Sequence, residues 1–203
     1  VALTVIIIRD KNGKEVARTE VPEGGSFEVA GGKKKDLPVK KEPTGDPKEV
    51  VKTVPPLDPA WVARVEGLNP VDQVKAVTAE LIKRNSGLEE RFVKASIIPG
   101  FVNGVTLPGE MVTDITPLSA LKQMTYFTCT ATDRSGKLTD LTPLRGLPIA
   151  HLTLNGNGAL RNLEPLRGMP LVGIGFVSTA VEDLSPLRDA PLTSLTLVGS
   201  KVS

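Results

Sequence analysis

The chain has very little cysteine or histidine: among 203 residues there is one of each, Cys129 and His151. That excludes an internal disulfide framework, a cysteine-rich metal site and a histidine cluster. Aromatic residues make up 3% of the chain against 40% hydrophobic residues, so any core must be built from leucine, valine and isoleucine. Charge of one sign is also missing. The net charge is +2, and basic residues are interspersed among acidic ones. A nucleic-acid surface would need a clustered basic stripe, so no nucleic acid is expected as a partner. No apolar run approaches the roughly 20 residues of a membrane span. Residues 1–8 are apolar but too short, and the only membrane reading open to them is the tail of a span cut off upstream. No motif asks for a cofactor or a metal.

Taken in order, residues 1–32 read as a small β module. Leu3, Val5 and Ile7 alternate with Thr4, Ile6 and Ile8, and Asn12-Gly13 gives a tight-turn signal because both residues tolerate positive φ. Alternation resumes over 16–21, Pro22-Glu23-Gly24-Gly25 marks a second turn, and 26–30 a third strand. The stretch resembles the PEGA-like β modules found beside membrane anchors in bacterial surface proteins; an ordinary hairpin of a truncated sheet is the alternative. Residues 33–57 read as a linker. Gly31-Gly32-Lys33-Lys34-Lys35 fails as a phosphate loop, because Phe27 stands at the first glycine position and Lys34 at the Ser/Thr position. Pro38, Pro43, Pro47, Pro55 and Pro56 among charged residues make an extended, semi-rigid tether.

Residues 58–101 read as a helical cap region. Asp58-Pro59 and Asn69-Pro70 each pair an N-cap residue with proline at the first helical position, where its missing N–H costs nothing. Trp61, Val62 and Val65 give the first helix an apolar face that ends near Gly67. Val71, Val74, Val77, Leu81 and Ile82 stripe the second, with Gly87 closing it. Such a pair ahead of a repeat stack covers its exposed end; a partner-binding helix is the other use for it.

Residues 102–203 are organised by a recurring phrase. It reads Asp114-Ile115-Thr116-Pro117-Leu118, Asp140-Leu141-Thr142-Pro143-Leu144, Asn162-Leu163-Glu164-Pro165-Leu166 and Asp183-Leu184-Ser185-Pro186-Leu187. A second phrase follows each copy, pairing Phe127 with Cys129, Leu152 with Leu154, Ile174 with Phe176 and Leu195 with Leu197, and leading with Met124, Ile149, Leu171 and Leu192. This is Leu-x-x-Leu-x-Leu, the leucine-rich-repeat pattern. A degenerate copy, Val102, Val105 and Leu107, starts the stack. Residues two apart point to one side of a strand, so these pairs face the interior. The expected fold is an α/β solenoid: short parallel strands on a concave side, 3₁₀ or short helical turns on a convex side, an N-terminal helical cap and a separate β hairpin module. Thr116, Thr142, Glu164 and Ser185, each just before proline, are expected to cap the convex turns. Cys129 is expected to be an inert interior residue. Asp114, Asp140 and Asp183 stand alone, short of the six to eight oxygens calcium needs, and are expected to cap turns locally.

The spacing and the Asp-Leu-x-Pro-Leu phrase resemble the short repeats of internalin-like bacterial proteins. That resemblance implies a ladder of asparagines after the last leucine. Only Asn155 is read as retaining it, where Thr130, Val177 and Val198 stand elsewhere, so looser repeats are expected. Residues 131–137 lengthen the first repeat and are expected to bulge as a loop. The lead-in from Asn69-Pro70 to Asn85-Ser86-Gly87 resembles that of repeat tails in large modular bacterial proteins, some of which carry a serine/threonine kinase upstream. The chain lacks an initiator methionine and stops in mid-phrase at Val202-Ser203, so it is read as a fragment of a longer protein.

In such repeats the ligand face is the concave sheet, read by residues between the core leucines. Here these are Gly104 and Thr106, Tyr126 and Thr128, His151 and Thr153, Gly173 and Gly175, Ser194 and Thr196. Tyr126 and His151 are its only large polar groups, expected on adjacent strands about 5 Å apart. They are read as the centre of a protein-binding patch with Thr128, Thr153, Ser194 and Thr196 around it; the alternative is that they are surface residues packed on one another. His151 is not expected to be a catalytic base, because Ser194 lies two repeats away. The expectation is therefore a noncatalytic interaction module with an unidentified protein partner. The alternative is the sensory tail of a membrane-anchored kinase, which would imply a place outside the cytoplasm. Oligomeric state and membrane side stay open.

Overall fold

The computed structural model describes residues 3–9, 15–22 and 56–199. The third N-terminal strand, the Asn12-Gly13 turn, the lysine run, most of the linker and the last four residues lie outside the described residues. Strands β1 (Leu3–Arg9) and β2 (Glu15–Pro22) pair antiparallel as a two-stranded sheet.

Helix α1 (Pro59–Glu66) starts where Asp58 accepts the Ala60 N–H at 2.9 Å, and it stops at Gly67. Helix α2 (Pro70–Arg84) starts on Asn69, whose Oδ1 accepts the Asp72 N–H at 3.1 Å while its Nδ2 donates to the Asp72 carboxylate at 2.7 Å. Val65 from α1 and Val77, Thr78 and Leu81 from α2 are buried. A 3₁₀ turn, Glu90–Phe92, then leads into the main sheet.

That sheet has six strands in sequence order: β3 (Lys94–Ile98), β4 (Phe101–Pro108), β5 (Tyr126–Thr130), β6 (His151–Thr153), β7 (Gly173–Gly175) and β8 (Ser194–Thr196). β3 pairs antiparallel with β4, and every later pair is parallel. A 3₁₀ turn precedes each of the last four strands: Thr116–Ala120, Thr142–Leu144, Glu164–Leu166 and Ser185–Leu187. Parallel strands stacked one per repeat with 3₁₀ turns between them make a leucine-rich-repeat-like solenoid. Its core runs unbroken from Val65 and Leu81 through Leu107, Phe127, Leu152 and Phe176. In the fourth repeat Leu192, Leu195 and Leu197 are only partly buried, and β8 is the edge strand of the sheet.

The caps of the convex turns differ from expectation. The residue before proline is the first residue of its turn rather than the N-cap, and the residues at the cap itself, Ile115, Leu141, Leu163 and Leu184, make no side-chain cap bond. Instead the first residue of each phrase accepts the N–H two positions on: Asp114 from Thr116 at 2.7 Å, and Asp140, Asn162 and Asp183 from Thr142, Glu164 and Ser185 at 2.8 Å. The leucine after proline then donates its N–H to the carbonyl three residues back, as Leu144 does to Leu141 at 2.9 Å. The short polar side chain fixes the turn entry, which leaves the residue before proline free to vary.

Asn155, expected to keep the ladder, does bond the backbone of the neighbouring repeat, and a second asparagine, Asn157, bonds inward. Asn157 is fully buried, its Nδ2 donates to the carbonyls of Cys129 (2.8 Å) and Leu154 (3.0 Å), and its Oδ1 accepts the Leu138 N–H at 3.3 Å. Asn155 is half-buried, and its Oδ1 accepts the Val177 N–H at 2.9 Å, joining neighbouring repeats at the strand's end. Counted from the last leucine, Asn157 is third, and of the residues at that count in the other repeats Thr179 is also buried, Glu110 is half-buried and Thr132 is exposed. The second correction concerns 131–137, which folds back along the solenoid's flank instead of bulging outward: Gly136 N–H donates to Gly156 and Lys137 N–H to Gly109, both at 2.9 Å.

Candidate concave binding face

The strand register sorts the outward residues into columns. One column runs Gly104, Tyr126, His151, Gly173, Ser194, and the next runs Thr106, Thr128, Thr153, Gly175, Thr196. The residues between them point inward and are buried from β4 to β7, as in the alternation around Phe127 and Cys129. The residues between the core leucines are therefore on the outward side of the sheet and in register. Neither column carries a carboxylate, ammonium or guanidinium group; Lys94 of β3, opposite Thr106, is the nearest cationic residue along the second.

Tyr126 and His151 are register partners on adjacent strands. Their rings, however, lie toward opposite neighbours. A Cβ on Gly104 would collide with the Tyr126 ring, and one on Gly173 would come 2.8 Å from His151 Nδ1. Neither glycine has a positive φ, so each is accounted for by the space the ring takes rather than by backbone conformation. Tyr126 is half-buried on its glycine, while His151 is exposed. Beside the pair, in the next column, stand Thr128 and Thr153, both half-buried. The two rings thus lean away from each other, each on its own glycine. The glycines in the column are the sequence signal for this: each flanks a ring across the sheet.

The face carries hydroxyls and one imidazole and no Asp, Glu, Lys or Arg in either column. His151 has Tyr126 and Gly173 as in-register neighbours, with Ser194 one strand farther. Beneath the face, burial pushes the Cys129 thiol up to about 12, with the nearby Glu110 carboxylate adding to the effect. At neutral pH that thiol is a small apolar core group. Glu110 is held below the usual carboxylate range, chiefly because its carboxylate accepts the Thr132 N–H at 2.8 Å. Among the described residues no group of three or more His, Cys, Asp or Glu residues could hold a metal ion, and no helix is long and apolar enough to cross a membrane.

No protein-family profile matches this chain, and no curated protein matches it. A solved structure of an internalin from Listeria monocytogenes aligns at 20% identity, covering 75% of this chain and 48% of that one, with a TM-score of 0.38. The aligned part thus spans about half of the internalin. At that score the likeness adds nothing to what the strand register and the 3₁₀ turns show.

Proposed function

We propose that this chain is a noncatalytic protein-interaction module that binds a protein partner through its concave sheet. Tyr126 and His151 are the anchors, with Thr128 and Thr153 beside them and Ser194 and Thr196 extending the contact. The observation that carries the reading is the two-column face without Asp, Glu, Lys or Arg, interrupted by two rings that rest on glycines. A rigid aromatic side chain already held in place loses little entropy on contact, and tyrosine is enriched among the residues that dominate interfaces. The threonine column offers a hydroxyl from β4, β5, β6 and β8 to a partner's backbone or side chains, with Gly175 leaving β7 bare.

The test uses a photo-crosslinking residue placed at Thr128 or Thr153 and, as a control, at Arg145 on the convex side, in lysate of the source cells. A specific protein adduct from the concave positions, absent from the control and lost in the Tyr126→Ala/His151→Ala double variant, is expected. An adduct that persists in the double variant, or that forms equally from Arg145, would sink the reading. As the regulatory tail of a membrane-anchored kinase, the alternative reading, the chain would use the same face; co-purification of kinase activity with the native full-length protein separates the two.

A further inference from the structure

In a solenoid each repeat contacts only its neighbours. The segment 131–137 breaks that pattern. It is what lengthens the first repeat: Asp114 to Asp140 spans 26 positions, against 22 from Asp140 to Asn162 and 21 from Asn162 to Asp183. Its backbone is set in an uncommon shape, with Asp133 (φ 45°) and Arg134 (φ 65°) consecutively in the left-handed region although both carry a Cβ. Such conformations persist where surrounding contacts over-determine them. The contacts are visible. Ala131 N–H donates to the Asn155 carbonyl at 2.9 Å, Ser135 N–H and Oγ both donate to the Thr132 carbonyl at 2.8 and 2.6 Å, and Gly136 and Lys137 anchor the return. A Cβ on Gly158 would lie 2.6 Å from the Arg134 carbonyl oxygen, so the loop sits directly on the following repeat.

From this seat the Arg134 side chain runs along the flank. Its Nη1 donates to the Gly199 carbonyl at 3.2 Å, and its Nη2 reaches the carbonyls of Gly158 at 3.5 Å and Thr179 at 3.4 Å. These three carbonyls follow β6, β7 and β8 in turn. One guanidinium therefore spans three successive repeats, and it does so through backbone groups that no substitution on those repeats removes. The repeat at the far end of this reach is the one whose leucines are only partly buried.

We propose that 131–137 is a lateral strap, with Arg134 as its hook, which ties the third and fourth repeats back to the first and makes their opening depend on it. Local opening is read by hydrogen exchange at individual amides. The reporters are Phe176, bonded to the Thr196 carbonyl at 2.9 Å, and Ser178, bonded to the Val198 carbonyl at 2.6 Å; Thr125, bonded to the Asn103 carbonyl at 2.8 Å, reports the first repeat. In the full chain, Arg134→Ala is expected to speed exchange at Phe176 and Ser178 by about tenfold, on the scale of losing charge-assisted hydrogen bonds, and to leave Thr125 unchanged. Arg134→Lys is expected to fall between the two, since an ammonium cannot fork across separate carbonyls. Arg161→Ala, which removes one surface pair to Glu182 at 3.4 Å, is the control and should leave all three amides as they are. Wild-type protection at Phe176 and Ser178 in Arg134→Ala would overturn the strap. So would a loss shared equally by Thr125, which would mark a general stability effect.

Discussion

Asn157 has no surface left in contact with water, and its amide touches three backbone groups from separate places in the chain: the Cys129 and Leu154 carbonyls and the Leu138 N–H. All three would otherwise be buried polar groups in need of partners. A buried donor or acceptor left without one costs its desolvation, about 1–3 kcal/mol. Asn157→Ala removes every bond at once with little change of volume, so a loss of about 2–4 kcal/mol is expected, read as a lower urea midpoint with an unchanged slope. The same change at Asn155 removes one acceptor, for the Val177 N–H, at a half-buried position, and should cost less than half as much. Equal effects of the two substitutions would reverse the assignment of the inward-bonding residue. From the sequence the two asparagines look interchangeable. Only the structure distinguishes them, because the count from the last leucine puts the exposed Thr132 at the same place as the buried Asn157 and Thr179.

The convex turns are built from one device repeated four times with different chemistry at its first position. Asp114, Asp140 and Asp183 accept the N–H two residues on as carboxylates, while Asn162 does so as an amide. A neutral amide therefore suffices, which makes the acid dependence of these turns separable from their stability. Asp183 is held below the usual carboxylate range, first by the Ser185 N–H and then by its hydroxyl. A carboxylate with a lowered folded pKa contributes stability that is present above its ordinary value near 3.8 and is lost as pH falls through the folded pKa. Asp183→Asn should thus leave the thermal midpoint at pH 7 nearly unchanged and flatten its fall below about pH 4. A large loss at pH 7 would mean that the negative charge itself is needed. The turns, the strands and the concave columns were legible because each recurs with a fixed period. Strand β3 was not: Lys94–Ile98 has no counterpart in the repeats, and its exposed Ile97 and Ile98 give no inward-outward alternation. Neither was the lean of the Tyr126 and His151 rings, which depends on what stands across the sheet rather than on neighbours in the chain. The path of 131–137 depends likewise on carbonyls as much as 65 residues away.

Across the molecule, the two ends of the sheet are treated differently. At the β8 end the leucines stay partly exposed. At the other end β3 is an edge strand with a bulge between Ser96 and Ile97 and a proline just beyond it, both of which discourage further pairing, and α1 and α2 pack on the core through Val65, Val77 and Leu81. The polar joint there rests on Asn85 and Arg84. Asn85, at the end of α2 and buried, accepts the Thr113 and Asp114 N–H groups at 2.8 and 2.9 Å and donates to the carbonyls of Leu81 (2.9 Å) and Asp114 (2.8 Å). Beside it, Arg84 bonds to Glu80 at 2.8 Å and Asp114 at 3.1 Å. Burial alone would lower the Arg84 pKa, but the bonds to Glu80 and Asp114 outweigh it and leave it raised. Since a repeat stack is a chain of interfaces, cutting this one should uncouple cap from repeats rather than merely weaken the whole. Asn85→Ala leaves the Thr113 and Asp114 N–H groups without this acceptor, and about 2–4 kcal/mol is expected to be lost. The sole tryptophan, Trp61, lies on α1 and reports the cap, while far-UV circular dichroism is weighted by the whole fold. In urea the two signals should coincide for the unmodified chain and separate in Asn85→Ala, with Trp61 moving first. If they stay coincident while the midpoint falls, the cap and the repeats are held as one unit by apolar packing between Val65, Leu81 and Leu118, and the polar joint contributes stability without setting the boundary.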